Sequence, residues 1–262
     1  MREICVQHDA HRPSAPPVPM ILAGLAAYMA NKPNDIPAFT GGNIYHGNMK
    51  RVDEAVVRVL AAWAVVVGLT ASHRRGSKFV PASLDQDYYE NLFTMMGHVD
   101  GSTGRPDPTK VQCFRRFGAL SVDHGLSNST FAMLVTSSSL ADPISALISA
   151  LTAAYGPLHF GAPESAYKTM TELGSPENVP SLIEEVKRGE RRLFGYGHRT
   201  YDTADPRIRP IQVLLGQLSA ASNPLLAVAQ EIDRVASNDE YFKTRGLNAN
   251  ADLYGVFFYV AM

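Results

Sequence analysis

Cysteine is scarce: Cys5 and Cys113 are the two in 262 residues. They show neither metal-ligand spacing nor a disulfide framework, and their scarcity fits a reducing compartment. An excess of one charge is also lacking. Lysine and arginine number 24 against 25 for aspartate and glutamate, so no net field favours nucleic acid or an anionic membrane as partner. The short basic cluster His73-Arg74-Arg75 reads as a solvated helix end. No apolar run reaches membrane-spanning length. Val52 to Leu69 comes nearest, but Arg51, Asp53, Glu54 and Arg58 make its first half amphipathic. Met1-Arg2-Glu3-Ile4-Cys5 carries no cleavable signal and no arginine-rich transit segment. Cytoplasm is therefore the default location, with a mitochondrion or other organelle open if an N-terminal segment is missing.

What is present is a globular composition, 45% hydrophobic and 19% charged, long enough to bury one sizeable core or two smaller ones. Met20–Met29 reads as a short buried helix and Asn31–Asn48 as loop. Asp53–Leu69 reads as a long helix, apolar on most sides after Arg58. Ser83, with Gln86 three residues on, reads as the capping box of a helix running to about Met96. From Thr109 the helical signal is nearly continuous. Helices are expected over roughly Lys110–Val122, Asn128–Ser137, Pro143–Ala154, Pro163–Leu173, Pro180–Lys187, Pro206–Leu218, Pro224–Ala236 and Asn250–Met262. Four of them open at a proline behind a capping residue or turn, a recurrent start signal. No segment sustains a two-residue alternation and no internal repeat appears. The chain reads as all-α.

Four stretches look chemical. Leu193-Phe194-Gly195-Tyr196-Gly197-His198 sets a histidine behind two glycines, where its ring can approach a ligand without obstruction. Asp205-Pro206-Arg207 then reads as a helix start that brings Arg207 close to that loop. An imidazole and a guanidinium beside a helix N-terminus make a site for an anion, most naturally a carboxylate. His159, in Gly156-Pro157-Leu158-His159-Phe160-Gly161-Ala162-Pro163, and His124, in Ser121-Val122-Asp123-His124, each fall between two helices. Asp252 falls in the first turn of the last helix. Taken singly, a histidine at a helix junction is usually a capping or packing residue, and acids are favoured in first turns anyway. Glu164 and Asp205 read as helix-start residues. No histidine pair has metal spacing on one helix, so no metal site is expected.

Taken together and in order, these stretches resemble the citrate synthase family. G-P-L-H-F-G-A, G-Y-G-H-R-T-Y with D-P-R, D-H-x-x-x-N and N-A-D-L-Y-G all match its motifs, as does the spacing between them. The resemblance covers nearly the whole chain. It implies a multi-helical, all-α fold with a large helical domain and a smaller closing domain, here incomplete. Residues 1–158 would be part of the large domain, 159–252 the small one, and 253–262 the start of the helix returning to the large domain. It implies an acyltransferase of the tricarboxylic acid cycle type, condensing acetyl-CoA or a longer acyl-CoA with oxaloacetate. No cofactor is implied, since the acyl-CoA is a co-substrate, and the assembly would be a homodimer.

By the same resemblance, His159 matches the donor to the thioester carbonyl and Asp252 the base that removes the methyl proton. His198 matches the residue that polarises the oxaloacetate ketone, and His124 and Arg207 match residues that hold oxaloacetate. The chain departs from the family at several points. It is short at both ends, and the ten residues after Asp252 include no arginine, where members place further carboxylate-binding arginines. Asp202 stands where members often have a cation, and Phe160 where they often have glycine, which reshapes the acyl pocket and suits a longer acyl-CoA. The rival reading is therefore a catalytically inactive, truncated citrate synthase-like protein that keeps at most an oxaloacetate or anion site.

Overall fold

Capping side chains fix where most of the helices begin. In the computed structural model, which describes residues 15–122, 125–218 and 222–262, Asn48 accepts the backbone N–H of Arg51 and Ser127 that of Thr130. Asp142 accepts that of Ser145, with Pro143 in the first turn behind it. Each cap satisfies an N–H that has no partner inside its own helix. Among the described residues there is no strand, only an isolated antiparallel bridge between Tyr196 and Ala249. The architecture is all-α.

The chain divides into two compact units, residues 1–111 with 124–155, and residues 112–123 with 156–262. The first unit contains helices α1 (Pro17–Ala30), α2 (Met49–Arg74), α3 (Tyr88–Met96), α5 (Asn128–Ser138) and α6 (Pro143–Ala154). Its core is small: Leu25 and Met29 of α1, Ala62 and Val66 of α2 and Ile144 of α6 pack together. Helix α4 (Pro108–Val122) begins in this unit and runs into the second. The second unit adds α7 (Ala162–Leu173), α8 (Val179–Lys187), α9 (Ile208–Gln217), α10 (Leu225–Asn238) and α11 (Ala251–Ala261). Leu253, Phe257 and Phe258 of α11 are fully buried at its centre, with Leu182, Ile183, Ile211, Val228 and Ile232 around them. The Phe117 ring of α4 stacks on Phe258 at 4.1 Å. Phe117 of α4 and Leu253, Phe257 and Phe258 of α11 thus belong to the second unit's core.

Several expected boundaries change. The helix expected at Ser83 starts four residues later, because Asp87 accepts the N–H groups of Tyr89 and Glu90 while Glu90 bonds back to the Asp87 N–H. A carboxylate in a full capping box outcompetes the Ser83 hydroxyl, which serves a turn through Asp85. Pro206 does not open its helix: Pro206 and Arg207 form a turn in which Asp205 accepts the Arg207 N–H, and α9 begins at Ile208. Two short helical turns, Pro37–Thr40 and Glu240–Lys243, were not expected. The expectation that no apolar run reaches membrane-spanning length is also corrected. α2 extends to 26 residues and is long and apolar enough to cross a membrane by length and composition. Its buried residues Ala62, Ala64 and Val66 mark it as a core helix of the first unit.

Candidate active site

The site is assembled by zipping one loop against the start of the last helix. Gly197 donates its N–H to the Asn248 carbonyl at 2.7 Å, and Asn250 donates its N–H to the Gly195 carbonyl at 2.9 Å. The Asn250 amide adds a bond to the Gly197 carbonyl at 2.7 Å, while its oxygen caps the N–H of Asp252 at 2.9 Å. One buried asparagine thus ties the segment before His198 to the first turn of α11. Gly195 makes the approach feasible. It sits at φ 84°, and a Cβ there would lie 2.9 Å from the Cα and Cβ of Leu253. Only glycine offers both the left-handed backbone and the empty space.

Asp205 joins a third segment to this pair. Its side chain is fully buried and accepts the Arg207 N–H at 3.0 Å, the Ala251 N–H at 3.0 Å and a forked contact from the Arg207 guanidinium, the shortest at 2.6 Å. The Asp205 N–H bonds to the Ala249 carbonyl. Burial pushes the Asp205 carboxyl up, but the bonds from Arg207 and Ala251 outweigh it and hold the group below its usual range. Asp205 therefore serves the turn that leads into α9, as the sequence suggests, and is also the ion-pair partner of Arg207.

Asp252 has the opposite environment. Burial raises its carboxyl to about 6, against the pull of the Arg207 charge and with help from the negative charge on Asp205. A carboxylate tuned toward neutrality is matched to taking a proton from carbon and returning it.

His198 is held by its neighbours Thr200 and Tyr201. The Thr200 N–H donates to its Nδ1 at 3.0 Å, so the neutral ring carries its proton on Nε2 and presents a donor. Its ring stacks on Tyr201 at 4.6 Å, and the Arg207 guanidinium lies 5.9 Å from the centre of that same tyrosine ring. The sequence reading did not single out Tyr201 or Asn250. Their signal was only adjacency to the histidine and aspartate motifs.

The hydrogen bonds and charges above bring His198, Arg207 and Asp252 together and do not run through His159. That residue lies half-buried in the turn between α6 and α7, its ring 4.9 Å from Phe160 and its N–H bonded to the Gly156 carbonyl. His124 lies outside the described residues. Among the described residues no group of three or more histidine, cysteine or acidic side chains could hold a metal ion.

Comparison with known proteins points the same way. A family model described as citrate synthase, C-terminal domain, matches residues 3–262. An alkylcitrate synthase of a fungal species is 52% identical over 251 residues, covering 95% of this chain and 55% of that protein. An alkylcitrate synthase of Talaromyces stipitatus is 48% identical over 247 residues, 94% of this chain and 55% of its own length. The chain thus spans about half the length of the curated relatives it matches. Among solved structures, the citrate synthase of Thermoplasma acidophilum in complex with carboxymethyl coenzyme A and oxaloacetate aligns with a TM-score of 0.78. It is 24% identical, over 95% of this chain and 62% of that one.

Proposed function

The chain belongs to the citrate synthase family, and on that premise we propose that it condenses an acyl-CoA with oxaloacetate to a citrate-type acid. The observation that carries this reading is the pairing of Asp252, raised to about 6, with Arg207 and the His198 loop in one hydrogen-bonded assembly.

The roles follow from the chemistry. Arg207, with Asp205 filling one side of its guanidinium, keeps donors for an oxaloacetate carboxylate, and His124 is the second residue we assign to holding that substrate. Asp252 takes a proton from the carbon next to the thioester. His159 donates a hydrogen bond to the oxygen on which the enolate charge grows. One well-aimed donor of this kind is worth roughly 3 kcal/mol of barrier. The enol carbon then attacks the ketone carbon of oxaloacetate. His198 meets the developing alkoxide with its Nε2 proton. Water finally cleaves the thioester and releases CoA. The co-substrates carry all the groups transferred, so the proposed reaction requires no further cofactor.

Two features support an acyl chain longer than acetyl. The similar proteins at 52% and 48% identity bear the name alkylcitrate synthase, and the large apolar Phe160 stands beside His159, where it would face the acyl group. We also propose that the chain works as a homodimer, since α2 turns Val56, Val57 and Leu60 outward. Light scattering on the purified chain checks the mass.

The test of the reaction is CoA release from oxaloacetate with acetyl-CoA and with medium-chain acyl-CoA, followed by a thiol reagent. Release that disappears in His198→Asn and Asp252→Asn is expected, faster with the longer chain. No release at any protein concentration overturns the reading. An oxaloacetate-induced thermal shift without release would leave only an anion site.

A further inference from the structure

The residues two positions before His198 and two positions after Asp252 are both tyrosines, and both end on the same carboxylate. The Tyr196 hydroxyl lies 2.8 Å from Oδ1 of Asp233 and 3.1 Å from its main-chain oxygen. The Tyr254 hydroxyl lies 2.8 Å from Oδ2. Asp233 sits in the middle of α10, one residue past the buried Ile232 and in line with the buried Ala229 and Ala236. It is an acid on the inward stripe of an amphipathic helix, where apolar side chains are expected. We propose that Asp233 is a positioning residue, fixing the register of the His198 loop against the Asp252 helix by gripping one tyrosine from each.

The inference rests on the reading of His198 and Asp252 as the reacting pair. A buried tyrosine hydroxyl needs an acceptor, and a backbone carbonyl would satisfy each one separately. Sharing one carboxylate does something more, because displacement of either segment must break or bend a bond that also reports on the other. Burial raises both phenols, and the bond to Asp233 adds to it, so both remain donors throughout the working pH range. The Tyr196 ring also packs edge-on against Phe242 at 5.6 Å. The zipper of Asn250 fixes the near side of the loop, and Asp233 fixes the far side. Catalytic groups held in this way lose about 10²-fold in rate for misplacements near 1 Å.

Tyr196→Phe and Tyr254→Phe remove one hydroxyl each while keeping the rings, and Asp233→Asn keeps the shape while leaving one uncharged acceptor and turning the other into a donor. Kinetics on the full chain are combined with NMR titration of the His198 ring and the Asp252 carboxyl. Tyr196→Phe should raise KM for oxaloacetate about fivefold with kcat within about twofold, because it loosens the loop that binds the ketone. Tyr254→Phe should lower kcat about tenfold and move the Asp252 titration down by roughly half a unit or more as water reaches the carboxyl. Asp233→Asn should do both. Variants that melt earlier but leave the kinetic constants and both titrations unchanged overturn the proposal and mark Asp233 as packing alone. If the unaltered chain releases no CoA, the functional reading fails. The two titrations then decide the positioning role by themselves: shifts in the variants support it and unchanged values overturn it.

Discussion

The two units solve different problems. In the first, helices meet through a handful of apolar side chains, and Phe39, Val57, Phe131, Leu134 and Val135 remain exposed. A charge cluster there, Asp35 with Arg58 at 2.7 Å and Arg51 at 3.6 Å, is partly in solvent. In the second, the apolar core is continuous through α11, and the polar groups at its edge are buried and paired: Asp205 with Arg207, Asn250 with the Gly197 carbonyl. Burial makes polar bonds consequential, since a buried group left without its partner costs far more than an exposed one. The proposed site residues His198, Arg207 and Asp252 sit in the unit where a bond, once broken, cannot be replaced by water.

The sharpest way to break that comparison is to delete one acid in each unit. Asp205→Ala strands the half-buried Arg207 guanidinium and the Ala251 N–H, so a loss of about 3–5 kcal/mol in urea unfolding is expected. Oxaloacetate binding should be lost with it. Asp35→Ala opens a pair that water already reaches, and about 1 kcal/mol or less is expected. Equal costs would mean the buried network is no stronger than the exposed one.

A second contrast uses glycines with the same backbone hand. Gly195 and Gly41 both have positive φ, 84° and 73°, but a Cβ at Gly41 meets nothing within 4 Å whereas at Gly195 it meets the Leu253 backbone. Gly41→Ala should cost about 1 kcal/mol for the backbone alone. Gly195→Ala adds a clash that must push the loop off the helix, for a total of about 2–4 kcal/mol. Thermal melts of the two variants compare them directly, and CoA release should fall only for the second.

How much of this was legible in the sequence depends on the range of the interaction. Local signals carried far. Asp142-Pro143 marked a helix start, the glycines around Tyr196 marked a loop of close approach, and the order of the histidine and aspartate motifs marked the family. What failed was competition among nearby candidates. Ser83 and Asp87 both precede the same helix, and only the folded chain shows that Glu90 completes the box for Asp87. Asp205 looked like a helix-start residue alone because the other residue it serves, Ala251, is distant in sequence. Asp233 left one trace, an acid in line with Ala229, Ile232 and Ala236, and that trace gains meaning only when two tyrosines arrive from other segments.

A smaller effect separates charge from packing at the Asp252 carboxylate. Because burial raises Asp252 to about 6, against roughly 3.9 in an unfolded chain, the folded form holds its proton more tightly. Between about pH 4 and 6 the folded state is protonated while the unfolded one is not, so stability rises as pH falls through this window. Above pH 6 the ionised carboxylate costs the fold about 2–3 kcal/mol by linkage. Asp252→Asn should therefore stabilise the chain at pH 8 and change it little at pH 4. CoA release, which needs the ionised base, should fall as pH drops through about 6.

The smallest effect is expected in the first unit, where Val57 and Leu134 are 66% and 54% exposed. Each keeps more than half of its surface in water after the unit folds, so deleting it forfeits only a small part of its transfer free energy. Val57→Ser and Leu134→Ser should each change the unfolding free energy by no more than about 0.5 kcal/mol. Their effect should appear instead in association, because exposed apolar patches are removed from water when copies meet. A dimer that light scattering detects in the unaltered chain should shift toward monomer at equal concentration. A loss near 2 kcal/mol from either substitution would show that the first unit buries these residues on its own, and the contrast between the units would disappear.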